Sequence, residues 1–346
     1  MTFIRCASVM LSLALFACGD SPPATSQEFD DKIVIAHRGA SGYLPEHTIA
    51  SKAMAYAQGV DFIEQDLVMT RDDEVIVLHD HLLDTVSNVR DLYPDRARAD
   101  GSFYVVDFTL DEIRRLAAYE RFEFGGGKMK AVFADRFPIA ASTFRIHTLA
   151  EEIELIQGLN RSTGNMVGIY PEIKSPAFHR EEGKDISVAV LSVLKEYGYT
   201  SHSGDVYLQC FDSYELLRIY DELLPAAEMD LPLVQLIGES PEYEPMLSAE
   251  GMQRVSGYAV GIGPPMSLLV DANSTESALK VGDLISWAHA SNLKVHAYTF
   301  RQEHGEIPAY ATSLENLLEV FFVDVGVDGV FTDFPDQAVE YLESRF

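Results

Sequence analysis

The sequence predicts an α/β fold of the TIM-barrel class, with an inserted subdomain and an antiparallel hairpin after the second strand. Short apolar, β-branched runs recur along the 346 residues, and helical patterns separate most of them. This alternation of strand and helix is typical of a parallel sheet, and a barrel of this class needs about 250 residues. The predicted strands are Ile33–Ala36, Phe62–Leu67, Val75–Leu78, Gly168–Ile173, Val206–Cys210, Leu233–Leu236, Tyr258–Gly261, Val295–Tyr298 and Gly329–Phe331. The clearest predicted helices are Thr48–Gln58 and Ile186–Tyr197, each followed by a glycine that favours a helix end.

Nine predicted strands are one more than an eight-stranded barrel holds. Only seven residues separate Leu67 from Val75, and they include the turn-like segment Thr70–Asp73. A parallel crossover needs roughly a dozen residues or more. The third strand is therefore predicted to return as an antiparallel partner of the second, which leaves eight strands for the barrel.

The segment between the third and fourth predicted strands does not follow the strand–helix repeat. It contains Asp91–Asp100, rich in Asp and Arg, and three consecutive glycines from Gly125. Capping boxes at Thr109–Glu112 and Thr148–Glu151 indicate two helix starts. We predict a barrel domain over residues 32–79 and 149–346, with residues 80–148 inserted at the barrel mouth.

The first 31 residues have the pattern of an export signal and a tether. Residues 1–17 combine Arg5 with a short apolar run, and the run ends at Cys18 in a segment that resembles a bacterial lipobox. The expectation is a lipidated Cys18, a flexible tether over residues 18–31, and a periplasmic protein anchored to the outer membrane. An ordinary cleaved signal peptide is the alternative. The remaining cysteine, Cys210, is expected to be a buried small apolar residue without a disulfide partner.

The composition limits the possible partners. There are 54 acidic and 26 basic residues, so the net charge is −28. Such a surface repels nucleic acids and anionic lipids, and we expect no nucleic acid partner and no membrane contact beyond the lipid anchor. The sequence makes no prediction of oligomeric state.

Ionisable side chains gather at the ends of the predicted strands, where barrel enzymes place their sites. Glu64 and Asp66 are two apart on one strand and share a face, and Glu172 ends the next barrel strand. Three carboxylates without sulfur are typical ligands of a hard cation. We predict a Ca²⁺ site, with Mg²⁺ as the alternative.

Two histidines also follow predicted strands, His37 after the first and His79 after the third. Their ordinary pKa lies close to neutrality, so they are candidates for the acid and base of a proton-transfer reaction. Arg38 and Lys174 can offset negative charge on a phosphoryl group. The other eight histidines, including His47, show no comparable set of partners and are expected to be structural or solvated.

Several motifs together resemble the glycerophosphodiester phosphodiesterase family, and most closely its periplasmic, calcium-dependent branch with lipoprotein members. The resemblance extends from Lys32 to the C-terminus. Its motifs are Ile35–Thr48, Glu64–Asp66, Val77–Asp80, Tyr170–Lys174, Tyr207–Phe211 and Phe331–Pro335.

The resemblance implies a TIM barrel that hydrolyses glycerophosphocholine, glycerophosphoethanolamine and similar diesters to sn-glycerol 3-phosphate and an alcohol. It implies that the substrate contacts Glu46 and Phe211 as well as the two basic residues. Ala177 departs from the family, because a bulkier aromatic residue is expected there. Two other hypotheses remain: a lipid-anchored protein that binds ligands without catalysis, and a phospholipase D-like enzyme, which would need an apolar rim that residues 80–148 do not offer.

Overall fold

The structure is a computed structural model and describes residues 32–202 and 205–345. The predicted signal peptide, Cys18 and the tether lie outside the described residues. Within the described part, no helix is both long enough and apolar enough to cross a bilayer.

Eight parallel strands form a closed barrel, as the sequence predicts. Neighbouring strands follow the order β1, β11, β10, β9, β8, β7, β6, β2, and the β1–β2 pairing closes the ring. The barrel strands are β1 (Ile33–Ala36), β2 (Phe62–Met69), β6 (Gly168–Ile173), β7 (Leu208–Cys210), β8 (Leu233–Leu236), β9 (Gly261–Gly263), β10 (Lys294–Phe300) and β11 (Gly329–Thr332), and the others are β3 (Val75–Val77), β4 (Phe122–Gly125) and β5 (Lys128–Ala131).

The third strand returns antiparallel to the second, which confirms the predicted hairpin. Leu67 pairs with Val77, and Met69 pairs with Val75. The prediction for the sixth barrel strand was displaced along the chain, because β9 begins at Gly261 rather than ending there. The aromatic and β-branched residues just before Gly261 suggested an earlier start, but Tyr258 lies in the turn that follows a helix, and Ala259 comes directly after that turn.

Helices follow most barrel strands and pack on the outside of the ring. The α-helices are α1 (Ile49–Ala57), α2 (Val89–Leu92), α3 (Leu110–Ile113), α4 (Leu149–Thr163), α5 (Pro176–Glu181), α6 (Ile186–Glu196), α7 (Ser213–Arg218), α8 (Leu224–Ala227), α9 (Ala249–Val255), α10 (Leu284–Ala290), α11 (Leu314–Glu319) and α12 (Pro335–Glu343). Both predicted capping boxes are present, at Thr109 with Glu112 and at Thr148 with Glu151. Short π-helical segments follow α7 and α11, at Ile219–Leu223 and Val320–Val325.

The barrel interior is filled by large side chains. Tyr170 lies fully buried at its centre, stacks on Tyr207 with ring centroids 5.0 Å apart, and meets Phe331 edge-on at 5.1 Å. The hydroxyl group of Tyr170 lies 2.8 Å from Nδ1 of His296. Aromatic rings of this size close the lower barrel, so any site is confined to the mouth.

The segment between β3 and α4 has an apolar cluster that it shares with the β2–β3 hairpin. Val68 and Ile76 from the hairpin pack with Phe103, Phe108 and other apolar residues of the segment. A two-stranded sheet, β4 and β5, projects from it around the glycines at 125–127. The sequence pattern did not reveal this hairpin, because its strands are short and largely exposed.

Candidate active site

The three predicted carboxylates lie together at the mouth of the barrel. Glu64 and Asp66 project from β2, and Asp66 is in register with Glu172 on the neighbouring strand β6. Ligand oxygens of the three lie within 4.8 Å of one another, and all three side chains are buried. Strand alternation and parallel register therefore produce the cluster that the sequence predicts.

Crowding shifts the pKa of these groups. Burial, and then the charges of Asp66 and Glu172, raise the pKa of Glu64 well above its usual range. Burial raises the pKa of Glu172 to about 8, although Lys174 opposes the shift. For Asp66, burial is outweighed by Lys174 and by nearby histidines, so its pKa is lowered. A metal ion would replace the protons that otherwise hold this cluster together.

The donor set fits a hard cation. Oδ1 of Asp66 is buried and accepts no hydrogen bond from the described residues, and the same is true of Oε1 of Gln209. Gln209 lies on β7, and its amide nitrogen is 3.3 Å from Oε1 of Glu64. Buried oxygens without donors are costly unless something positive reaches them. Carboxylate and amide oxygens are the ligands that Ca²⁺ and Mg²⁺ favour.

Each of the two predicted histidines has a carboxylate on Nδ1. His37 lies 2.5 Å from Oδ1 of Asp333, which follows β11. His79 lies 2.7 Å from Oδ1 of its neighbour Asp80. Because a carboxylate only accepts, Nδ1 donates in both pairs and Nε2 carries the free lone pair. Burial lowers the pKa of both histidines to about 4, which favours the neutral form of each ring before substrate binds.

Arg38 reaches over the carboxylates from the turn after β1. Its backbone nitrogen donates to Oε2 of Glu64 at 2.8 Å, and its guanidinium lies 3.0 Å from Glu46 and 3.6 Å from Asp66. The turn is tight: the next residue, Gly39, has φ +89°, and a Cβ there would lie 2.6 Å from Oγ of Ser51. Glycine at this position lets the chain present Arg38 to the site.

Lys174 and Phe211 form the wall beside Glu172. The ammonium of Lys174 lies 2.8 Å from Oε1 of Glu172 and 3.6 Å from Oδ1 of Asp66. It also lies 5.7 Å from the centre of the Phe211 ring. The Lys174 ammonium thus lies between the carboxylates and the Phe211 ring, where it can reach an anionic ligand in the site.

A cavity of about 610 Å³ opens over the cluster. Both predicted histidines, the three carboxylates, Arg38, Lys174 and Phe211 line it, whereas Glu46 lines a smaller adjoining cavity of about 240 Å³. The rings of Tyr298 and Tyr310 add to the apolar lining of the larger cavity. Cys210 is buried beneath the site and has a raised pKa because of burial, so it is a packing residue as the sequence predicts.

Sequence reasoning missed His47, which was expected to be structural or solvated. Its Nε2 lies 2.7 Å from Oδ2 of Asp66, and both side chains are buried. This contact orients one carboxylate of the cluster. The only signal in the sequence was its place beside Glu46, at the start of α1.

The proteins that resemble this chain in sequence or in structure are phosphodiesterases. A sequence model described as the glycerophosphoryl diester phosphodiesterase family matches residues 37–337. A glycerophosphodiester phosphodiesterase of Haemophilus influenzae is 46% identical, over 96% of this chain and 98% of that protein. One of Treponema pallidum is 40% identical, over 90% of this chain and 92% of that protein. An Oleispira antarctica phosphodiesterase, solved in complex with the product sn-glycerol-3-phosphate, has TM-score 0.61 at 20% identity, over 91% of this chain and 99% of that one.

Proposed function

Because this chain belongs to the glycerophosphoryl diester phosphodiesterase family, we propose that it hydrolyses glycerophosphodiesters by metal-dependent, two-histidine catalysis. The products would be sn-glycerol 3-phosphate and an alcohol, from substrates such as glycerophosphocholine and glycerophosphoethanolamine. The observation that carries the proposal is the convergence of three buried carboxylates and two carboxylate-paired histidines on one cavity.

Glu64, Asp66 and Glu172 would hold the metal ion, which we propose is Ca²⁺, with Mg²⁺ as the alternative. When bound, the cation would offset the negative charge of the phosphoryl oxygens. Support comes from the all-oxygen donor set and from the buried Oδ1 of Asp66, which lacks a donor among the described residues.

Arg38 and Lys174 would bind the phosphodiester from opposite sides of the cluster, and Phe211 would cover the apolar part of the substrate. One of the two histidines takes a proton from the attacking hydroxyl through Nε2. The other, protonated, returns a proton to the oxygen of the departing alcohol. The attacking hydroxyl can belong to the substrate's own glycerol, which would give a cyclic phosphate that water then opens.

We further propose export through residues 1–17, lipidation at Cys18, and a periplasmic enzyme attached to the outer membrane. The support is the pattern of the sequence alone. A Cys18→Ser variant should lose labelling by a radioactive fatty acid and leave the membrane fraction. Unchanged fractionation and labelling would contradict the anchor.

The experiment that tests the activity uses a soluble form that begins at residue 21. Release of sn-glycerol 3-phosphate from glycerophosphocholine is measured with excess chelator, and again after Ca²⁺ or Mg²⁺ is added back. We expect release to vanish with chelator and to return with Ca²⁺. Full release in chelator would refute metal dependence, and no release from any glycerophosphodiester would favour the ligand-binding alternative.

A further inference from the structure

The segment between β3 and α4 supplies one arginine to the carboxylate partner of each histidine. Arg121, just before β4, lies 2.7 Å from Oδ2 of Asp80 through Nη1. Arg136, just after β5, lies 2.6 Å from Oδ2 of Asp333 through Nη2. In both aspartates one oxygen therefore faces the histidine and the other faces an arginine of the same segment.

We propose that Arg121 and Arg136 are positioning residues for the reaction, so that the segment from 80 to 148 completes the active site rather than merely covering it. The expected effects on kcat and KM rest on the proposed function. Neither arginine is assigned a role by the motifs or by the carboxylate cluster.

The physical basis is the orientation of each aspartate. A guanidinium presents several donors in a fixed plane, so it fixes the rotation of a carboxylate that it binds. The opposite oxygen is then directed at Nδ1 of the histidine, which keeps the proton on Nδ1 and the lone pair on Nε2. Without the arginine, the aspartate can rotate away, and the histidine can change its tautomer.

Each arginine is itself fixed at a second point. Arg121 makes a bidentate contact with Glu46, at 3.0 Å from Nε and 2.6 Å from Nη2. Arg136 contacts Glu303 at 2.5 Å and the carbonyl oxygen of Ser41 at 3.3 Å, and its guanidinium lies 3.8 Å from the centre of the Phe133 ring. These contacts connect the segment to the loops of the barrel mouth.

Arg136 shares its aspartate with a second arginine, whereas Arg121 does not. Asp333 is also held by Arg301, whose Nε lies 2.8 Å from the same Oδ2. Among the residues that the structure describes, Asp80 pairs with no guanidinium except that of Arg121. Loss of Arg121 should therefore harm catalysis more than loss of Arg136.

The test measures kcat and KM for glycerophosphocholine with Ca²⁺ in Arg121→Met, Arg136→Met and the control Arg114→Met. Arg114 bridges the same segment to Glu151 at 2.8 Å, but this pair is half exposed, and neither residue lines the two cavities of the site. We expect kcat to fall about 10- to 100-fold in Arg121→Met and only several-fold in Arg136→Met. KM should stay within about threefold, and the control within about twofold of the parent enzyme.

A double-mutant cycle with Asp80→Asn separates positioning from general damage. If Arg121 acts through Asp80, adding Arg121→Met to Asp80→Asn should lower kcat little further. Additive losses, an unchanged kcat in Arg121→Met, or an equal loss in Arg114→Met would overturn the proposal. If Arg121→Met does not fold, Arg121→Lys takes its place, because one ammonium keeps a positive charge but cannot hold both carboxylates.

Histidine ring ¹⁵N chemical shifts provide a readout that does not depend on turnover. In the parent protein, the His79 signals should report a proton on Nδ1, and in Arg121→Met they should report a mixture of tautomers. Identical shifts in both proteins would overturn the proposal. An inactive parent enzyme with the expected tautomer change would contradict the proposed function and leave the positioning role supported.

Discussion

Replacing the buried Lys52, which does not itself line the cavity, should destabilise the protein. Lys52 on α1 is fully buried and lies 3.0 Å from Oε1 of Glu152 on α4, which is also fully buried. Its ammonium donates to the carbonyl oxygen of Glu64 as well. The change Lys52→Met roughly keeps the volume of the side chain but removes the only lysine partner of Glu152 among the described residues.

The expected loss of stability in Lys52→Met depends on the partners that Glu152 keeps. Glu152 keeps His147 at 2.7 Å and Gln65 at 2.8 Å, but it loses the charge that balances its own. Removing one partner of a buried ion pair costs about 3–5 kcal/mol. With an m-value of about 3 kcal/mol/M in urea, the unfolding midpoint should fall by about 1 M or slightly more.

The pH dependence gives a second test. Burial alone would raise the pKa of Glu152, but Lys52 and His147 hold it at about 2, below the ordinary 4.5. This pair therefore stabilises the fold above pH 4.5, and the stabilisation is lost as the pH falls toward 2. In Lys52→Met the pKa of Glu152 should rise, because Lys52 no longer opposes the effect of burial, so the difference from the parent should be largest near pH 7 and shrink toward pH 5.

The assay is equilibrium urea unfolding, followed by circular dichroism with chelator present at both pH values. The double variant Lys52→Met with Glu152→Gln should recover much of the lost stability, because no unpaired charge remains buried. A single variant that loses less than about 1 kcal/mol would refute this account of the pair. So would a double variant no more stable than the single one.

Three further outcomes follow from the site. Ca²⁺ binding at pH 7 should release protons, because the pKa of Glu172 is raised to about 8. Calorimetry in buffers of different ionisation enthalpy measures the number of protons released, and a binding enthalpy that does not depend on the buffer would contradict this expectation. His79→Ala should lower kcat by about 10²- to 10⁴-fold while Ca²⁺ affinity stays the same, and full turnover would exclude the two-histidine scheme. Gly39→Ala should cost about 2 kcal/mol or more in urea unfolding, because φ is +89° and the new Cβ would meet Ser51, whereas a neutral effect would show that the turn relaxes.

The barrel and the carboxylate cluster were predictable because both follow from local rules. Two acidic residues two apart on a strand share a face, and the carboxyl ends of parallel strands meet at one edge. The hairpin of β2 and β3 followed from the short connection between them. The start of β9 was misplaced, because a three-residue strand containing two glycines has too little pattern to fix its register.

The partners of the site residues were not predictable in the same way. His37 meets Asp333 across 296 positions, and Arg136 reaches the same aspartate across 197. No local periodicity encodes such contacts, although Asp333 follows a predicted strand. His47 lies next to a motif residue, but its contact with Asp66 depends on how α1 begins over β2.

The apolar cluster shared by the β2–β3 hairpin and the following segment has a consequence for protein engineering. Val68 and Ile76 are fully buried by residues such as Phe103 and Phe108, so cutting the chain at 80 and 148 would leave an apolar face of the barrel in water. A chimera that takes this segment from a relative must therefore take the outer face of the hairpin with it. Recombination points chosen before β2 and after α4 would keep the two halves of the cluster matched.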